Sequence, residues 1–138
     1  MIMESLRVIE LLEATQTFER KLNLALMYSG LRLPQFRTML FLECSGKITV
    51  SDLSRHLNVT RATMSVLVNN LLKARIVESI NNPNDKRSFY IKLTESGLNR
   101  LTLAKSEVAL VEDKISQDFS AETIAALNTL ASSLIVKN

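Results

Sequence analysis

With 138 residues, 46% of them hydrophobic, the chain has apolar material for one ordinary domain core, yet no apolar run reaches the ~20 residues of a membrane-spanning helix. A single cysteine (Cys44) and a single histidine (His56) exclude a disulfide framework and argue against an all-protein zinc site. The net charge of +3 is unevenly spread: residues 31–93 hold ten Lys/Arg against four acids, net +6, while residues 1–30 and 94–138 stand at −1 and −2, so positive charge gathers on the segment expected to meet a polyanion.

The opening MIMESLRVIELLE puts Glu4 ahead of its apolar residues and has no basic leader, so it does not read as a secretory signal. A cytoplasmic, soluble protein is expected. Val8, Leu11, Leu12, Phe18, Leu22, Ala25 and Leu26 form a helical stripe over residues 4–29, and Gly30 supplies the stop. A helix this long at the start of a small domain is expected to pack on a partner subunit. Leu33-Pro34 opens a second helix, proline suiting its first turn, with Phe36, Met39 and Leu40 as the buried face and Ser45-Gly46 as its end. Lys47-Ile48 leaves room only for a short strand that pairs with a later hairpin.

Residues 49–93 carry the chemistry. Thr49 and Asp52 make a capping start for a third helix with Leu53 and Leu57 inward; Asn58-Val59 turns the chain; Thr60 caps a fourth helix running to about Ala74. Met64, Leu67, Val68 and Leu71 share one arc of that helix and face the core. The opposite arc presents Ala62, Val66, Asn69 and Lys73, flanked by Thr63, Ser65 and Asn70, with Arg61 at the helix start. Strand-like runs follow at Ile76–Ile80 and Ser88–Leu93, the second with Phe89, Ile91 and Leu93 inward and Tyr90 and Lys92 outward. The turn-rich NNPNDKR lies between them. Two helices at a tight turn, then a hairpin with a polar, partly basic tip, is the layout of a helix-turn-helix with a wing, which puts one helix into a DNA groove. Thr94-Glu95 starts a further long helix striped by Leu98, Leu101, Val108, Val111, Ile115 and Phe119, and Ser120-Ala121-Glu122 caps a last one with Ile124, Leu127, Leu130, Leu134 and Ile135. The expected fold class is mainly α with a small β-wing (α+β).

LPQFRTMLFL, TVSDLSRHLNVTRATMSVLVNNLLK and NPNDKRSFYIKLTESG, taken in order, resemble the MarR family of winged helix-turn-helix transcriptional regulators of bacterial type, over nearly the whole chain. The most specific piece is Asp85-x-Arg87 followed by a strand ending Leu93-Thr94-Glu95-x-Gly97. The resemblance implies one MarR-like domain over residues 1–138, with a DNA-binding winged unit at 31–93 and dimerising helices at 1–30 and 94–138. It implies a homodimer on double-stranded DNA at a palindromic promoter site, the fourth helix in the major groove and Arg87 in a neighbouring minor groove, with Asp85 orienting its guanidinium. It also implies a small aromatic or anionic ligand in a crevice that Phe18, Met27, Tyr28, Phe36, Met39 and Phe41 are candidates to line. Repression is the expected sign of control.

The chain departs from the family pattern at Val66 and Asn70, where long basic side chains are frequent, at Arg75, where glycine is, at Lys86, where arginine is, and at Arg32, in the place of a capping Thr or Ser. Loss of that cap is expected to cost about 1 kcal/mol. A groove face of Ala62, Ser65, Val66 and Asn69 offers thymine-methyl contacts and an adenine-reading amide, so an A·T-rich operator is expected. Arg61, Ser65 and Asn69 are expected at DNA, with Thr63 and Asn70 beside them; Ser51, Arg55 and Lys86 are candidate phosphate contacts. Cys44 is expected to be a buried or half-buried thiol and His56 a structural or DNA-proximal side chain. No metal, cofactor or enzymatic activity is expected, since paired carboxylates, a Cys–His pair with an orienting group and a Gly-rich loop are all missing. The under-charged fourth helix keeps one alternative open, a winged-helix protein–protein module or antirepressor that does not bind DNA.

Overall fold

A computed structural model of the chain describes residues 7–136. Helix α1 spans Arg7–Ala25 and continues through a 3-10 turn at Leu26–Ser29. The expected helix at 4–29 is thus interrupted near its end, and its residues 4–6 lie outside the described ones. The last turn tightens because Ser29 Oγ donates to the Leu26 carbonyl (2.9 Å) and Gly30, at φ +71°, aims its own N–H back at Met27 O (3.1 Å). None of α1 is buried, whereas Leu26 and Leu31, just beyond it, are core residues.

Helix α2, Leu33–Ser45, begins without a side-chain cap from its own preceding residue, since Arg32 has only donors. Two other side chains serve this end. Gln35 Oε1 accepts the Arg32 N–H (2.9 Å), and Asn23 Oδ1, reaching over from α1, accepts the Leu33 N–H (2.8 Å). The expected capping loss at Arg32 is therefore compensated from elsewhere in the fold. The fully buried face is Phe36, Thr38, Met39 and Leu42, while Leu40 is only half-buried.

Strand β1 (Lys47–Thr49) leads into α3 (Val50–His56), whose cap is Thr49 accepting from Asp52 N (3.2 Å). Asn58 turns the chain at φ +54°, and Thr60 caps α4 (Arg61–Lys73) by accepting from Thr63 N (3.1 Å). Met64, Val68 and Leu71 are buried as the helical arc requires, with Leu67 partly so. Arg75 leaves α4 at φ +59°, the left-handed position that closes a helix and that glycine occupies without strain.

Strands β2 (Val77–Asn81) and β3 (Phe89–Leu93) form the hairpin, and β3 also pairs with β1, giving an antiparallel sheet in the order β1-β3-β2. Ile91 and Leu93 face the core, but Phe89 does not: it is 40% exposed. It pairs with Asn81 at the far end of the hairpin, four residues out from the Val77–Leu93 pair that anchors the base. Alternation sets the side a strand residue faces; only the neighbouring layer decides whether anything covers it.

Helix α5, Glu95–Asp118, is capped by Thr94, whose hydroxyl accepts from Gly97 N (2.9 Å) and donates to Arg75 O (2.7 Å). Leu101 and Ala104 are fully buried, while Leu98 and Phe119 from the expected stripe remain 42% and 48% exposed. Helix α6, Ala121–Val136, makes no extended contact with any other element and has Leu127, Leu130 and Leu134 at 41–55% exposure; the side chain of Ile135 lies outside the described ones. Among the described residues, no helix is long and apolar enough to cross a membrane.

Candidate nucleic-acid interface

Three segments distant in sequence converge on one concavity of about 440 Å³. Ser51, Asp52 and Arg55 reach it from α3, Thr49 from the cap that precedes α3, Arg61 from the start of α4, and Asp85, Arg87 and Ser88 from the wing turn. The geometry follows from local chemistry. The caps at Thr49 and Thr60 fix where α3 and α4 begin, so their first turns meet at one surface. The wing turn is held by its own side chains: Asn82 Oδ1 accepts Asn84 N (3.0 Å), Asp85 Oδ1 accepts Arg87 N (3.0 Å), and Asn82 Nδ2 donates to Ser88 Oγ (3.2 Å).

Asp85 does two things at once. Besides fixing the backbone of Arg87, its Oδ1 lies 3.8 Å from the Arg87 Nε, while the guanidinium side chain is 95% exposed. A pair so exposed adds little stability, but it biases the direction in which the arginine extends. Arg55 is paired with Asp52 one turn back on α3. Three arginines against two aspartates leave the concavity net positive, and helix first turns at its floor favour an anion further.

The remaining predicted residues line the outward face of α4 and are not drawn into the concavity. Ala62, Thr63, Asn69 and Asn70 are exposed, Val66 is 62% exposed and Ser65 is half-buried. Thr63 is tied to the cap, its hydroxyl 2.9 Å from that of Thr60. Lys86 is exposed on the wing turn. Thr49, Asp52 and Ser88 belong to the concavity although the sequence reading left them out. For the first two the sequence carries a signal, the Thr49–Asp52 capping pattern, which also places both side chains at the first turn of α3.

The family model described as "MarR family" matches residues 29–88. The multiple antibiotic resistance protein MarR of Salmonella typhimurium is 33% identical over 82 residues, 59% of this chain and 57% of that protein, so the match spans little more than half the relative's length. Its counterpart from Escherichia coli K12 is 27% identical over 83% of this chain and 81% of its own. A mutant MarR from E. coli, solved in complex with operator DNA, superposes with a TM-score of 0.85 at 25% identity, covering 95% of each chain. The transcriptional repressor CouR, solved on a 23-mer DNA duplex, has the same fold, with a TM-score of 0.91 over 96% of this chain and 94% of its own, at 20% identity. The chain is similar to the MarR family over this central segment.

The candidate ligand residues do not stay together. A crevice of about 660 Å³ between α1 and α5 is lined by Phe18 and Tyr28, with Leu24, Glu107, Leu110 and Val111 among its other walls. Met27 is 67% exposed and outside it. Phe36 and Met39 are corrections: 5% and 0% exposed, they are core residues on the inner face of α2. Phe41 is half-buried with its ring 4.9 Å from that of His56, which gives His56 a packing partner. Cys44 is also a correction, being exposed. It sits two residues past buried Leu42, about 200° around the helix and so on its outer side.

Proposed function

We propose that this chain is a homodimeric, sequence-specific DNA-binding transcriptional regulator, a repressor by default, that occupies a palindromic promoter site. The observation that carries this reading is the meeting of Arg55, Arg61 and Arg87 in one positive concavity beside the exposed face of α4. With α4 in the major groove, Arg61, Ser65 and Asn69 are the base-edge or backbone contacts and Ala62 and Val66 meet thymine methyls. Arg87 extends from the wing into the adjacent minor groove, whose negative potential is concentrated where A·T pairs narrow it. Ser51, Arg55 and Lys86 hold phosphates and set the register. The likeness to the E. coli protein solved with operator DNA supports the same reading.

Residues 31–93 act as the winged unit, and the helices at 1–30 and 94–138 bring two such units together. The dimer surface is α6 with the outer face of α1, whose Val8, Leu12, Leu127, Leu130 and Leu134 are exposed. Pairing sets the two winged units about one turn of DNA apart, roughly 34 Å. A ligand in the α1–α5 crevice releases DNA insofar as it favours a different arrangement of these units. The cytoplasm is the expected compartment.

The test is selection of duplexes from a random pool followed by titration against salt. The expected result is a palindrome rich in A·T, bound with an affinity that falls steeply as salt rises. G·C-rich half-sites would overturn the reading of the α4 face. A second reading, a protein–protein module, is favoured by Val66, an apolar side chain 62% exposed where a DNA reader often carries charge. It gains if no duplex is selected and another protein binds this face tightly.

A further inference from the structure

We propose that Phe89 is an apolar DNA contact: its ring lies against the deoxyriboses of the strand that passes between α4 and the wing, and adds affinity that salt does not remove. This contact rests on the DNA-binding reading and names a residue that reading leaves unused. Phe89 opens β3 on the same side as Ile91 and Leu93, which are 0% and 7% exposed. That inner side packs on the helices, β3 against α2 and α3 and β2 against α4. The hairpin runs past this layer, and at its outer end the ring is left 40% exposed. One exposed phenylalanine says little by itself. Its position decides.

The ring is carried on a held frame. Phe89 is paired with Asn81 in the ladder, and just beyond it Asn82 Nδ2 donates to Ser88 Oγ (3.2 Å). The two residues before it, Arg87 and Ser88, line the positive concavity together with Arg55 and Arg61. With α4 in the major groove and Arg87 in the adjacent minor groove, one sugar–phosphate strand has to pass between them. It crosses the inner side of the hairpin, the side that carries Phe89. The chemistry there suits a strand. Ser79 and Asn81 share that side on β2, and both are exposed, uncharged and able to donate to phosphate oxygens. Glu78, the one acid of β2 and β3, faces the opposite side.

Between its phosphates a DNA strand presents the C–H faces of its deoxyriboses, which an aromatic ring covers without leaving a polar group unpaired. Insertion between base pairs is the other use of an apolar side chain at a minor groove, and it needs the side chain at the tip. Phe89 is set back behind the turn at residues 82–88, so it meets the wall of the groove and not the base stack.

The experiment compares the full chain as wild type, Phe89→Ala and Phe89→Leu on the palindromic duplex that wild type selects from a random pool. Affinity is titrated against salt, and hydroxyl-radical footprinting reports which deoxyriboses are covered. Phe89→Ala is expected to weaken binding roughly tenfold at every salt concentration, the effect of leaving part of an aromatic side chain's contact unmade. The slope of log affinity against log salt stays as in wild type, because no cation is lost, whereas Arg87→Ala lowers it. Sugars beside the minor groove that wild type protects become open in Phe89→Ala. They stay covered in Phe89→Leu, whose affinity remains within about threefold of wild type. Equal affinity of Phe89→Ala, a changed salt slope, or unaltered sugar protection would each overturn the contact. So would a wild-type footprint with no sugar protected on the strand between the two grooves, a result that needs no variant and decides the matter if Phe89→Ala misfolds. A duplex bound by wild type and Phe89→Ala alike removes Phe89 alone; a chain that selects no duplex removes the regulator reading and this contact with it.

Discussion

Arg87 is held at its backbone and free at its head: Asp85 accepts its N–H at 3.0 Å, yet its side chain is 95% exposed. That combination is wasteful in a loop that does nothing and suits a side chain aimed at a partner. Arg87→Ala is expected to weaken operator binding roughly tenfold or more and to lower the slope of log affinity against log salt by about one, without changing the melting temperature. An unchanged affinity in a gel-shift titration would remove the wing from the interface. Asp85→Ala is expected to give a smaller loss, since it frees the turn without removing the cation. Arg75 tests a different kind of local demand. At φ +59° it sits in a region that costs a non-glycine residue roughly 1–2 kcal/mol. Arg75→Gly should therefore be tolerated or mildly stabilising by thermal denaturation, whereas Arg75→Val, branched at Cβ, should lower stability.

Among the elements, the junction between the wing and α5 allows least change. Thr94 N donates to Ile76 O (3.0 Å), and a Cβ added to Gly97 would lie only 2.0 Å from that same carbonyl oxygen. Alanine normally stabilises a helix relative to glycine by up to about 1 kcal/mol. Here the sign reverses: Gly97→Ala is expected to destabilise by about 1–3 kcal/mol, because α5 must lift off the sheet base to make room. Urea unfolding would measure it, and a neutral or stabilising result would mean that the junction yields more easily than its geometry implies. Asn23 makes the related point for α2. Its amide accepts the Leu33 N–H across a gap of ten residues, doing for α2 what Arg32 cannot.

For the molecule as a whole, the decisive feature is the contrast between its two halves. The core of Phe36, Met39, Leu53, Met64, Val68, Leu71 and Ile91 lies within the winged unit, while α6 and the outer face of α1 keep large apolar side chains in water. Exposed apolar surface on that scale marks a partner surface. Replacing Leu127 and Leu130 together by Asp is expected to convert the proposed dimer, of twice the 15.5 kDa chain mass, into a monomer in sedimentation velocity. Operator affinity should fall with it, because each unit then binds a half-site alone. A variant still dimeric would place the interface elsewhere.

Periodicity, caps and turn residues are local quantities, and the sequence alone determined what depends on them: the order of elements, the start of each helix after Thr49, Thr60 and Thr94, the inward arc of α4, and the polar wing with Asp85 and Arg87. Tertiary structure decided what depends on neighbours. Phe89 alternates inward but no layer covers it; Leu98 and Phe119 follow a helical stripe yet stay exposed; Phe36 and Met39 are aromatic or soft enough for a ligand wall but are already enclosed. Helical and strand patterns report which way a side chain points, and burial needs a second surface there. The same limit hid the two features that matter most for the chemistry. The basic concavity draws on α3, α4 and the wing, and the crevice lined by Phe18 and Tyr28 needs α1 lying against α5. Both are products of docking, which no spacing along the chain records.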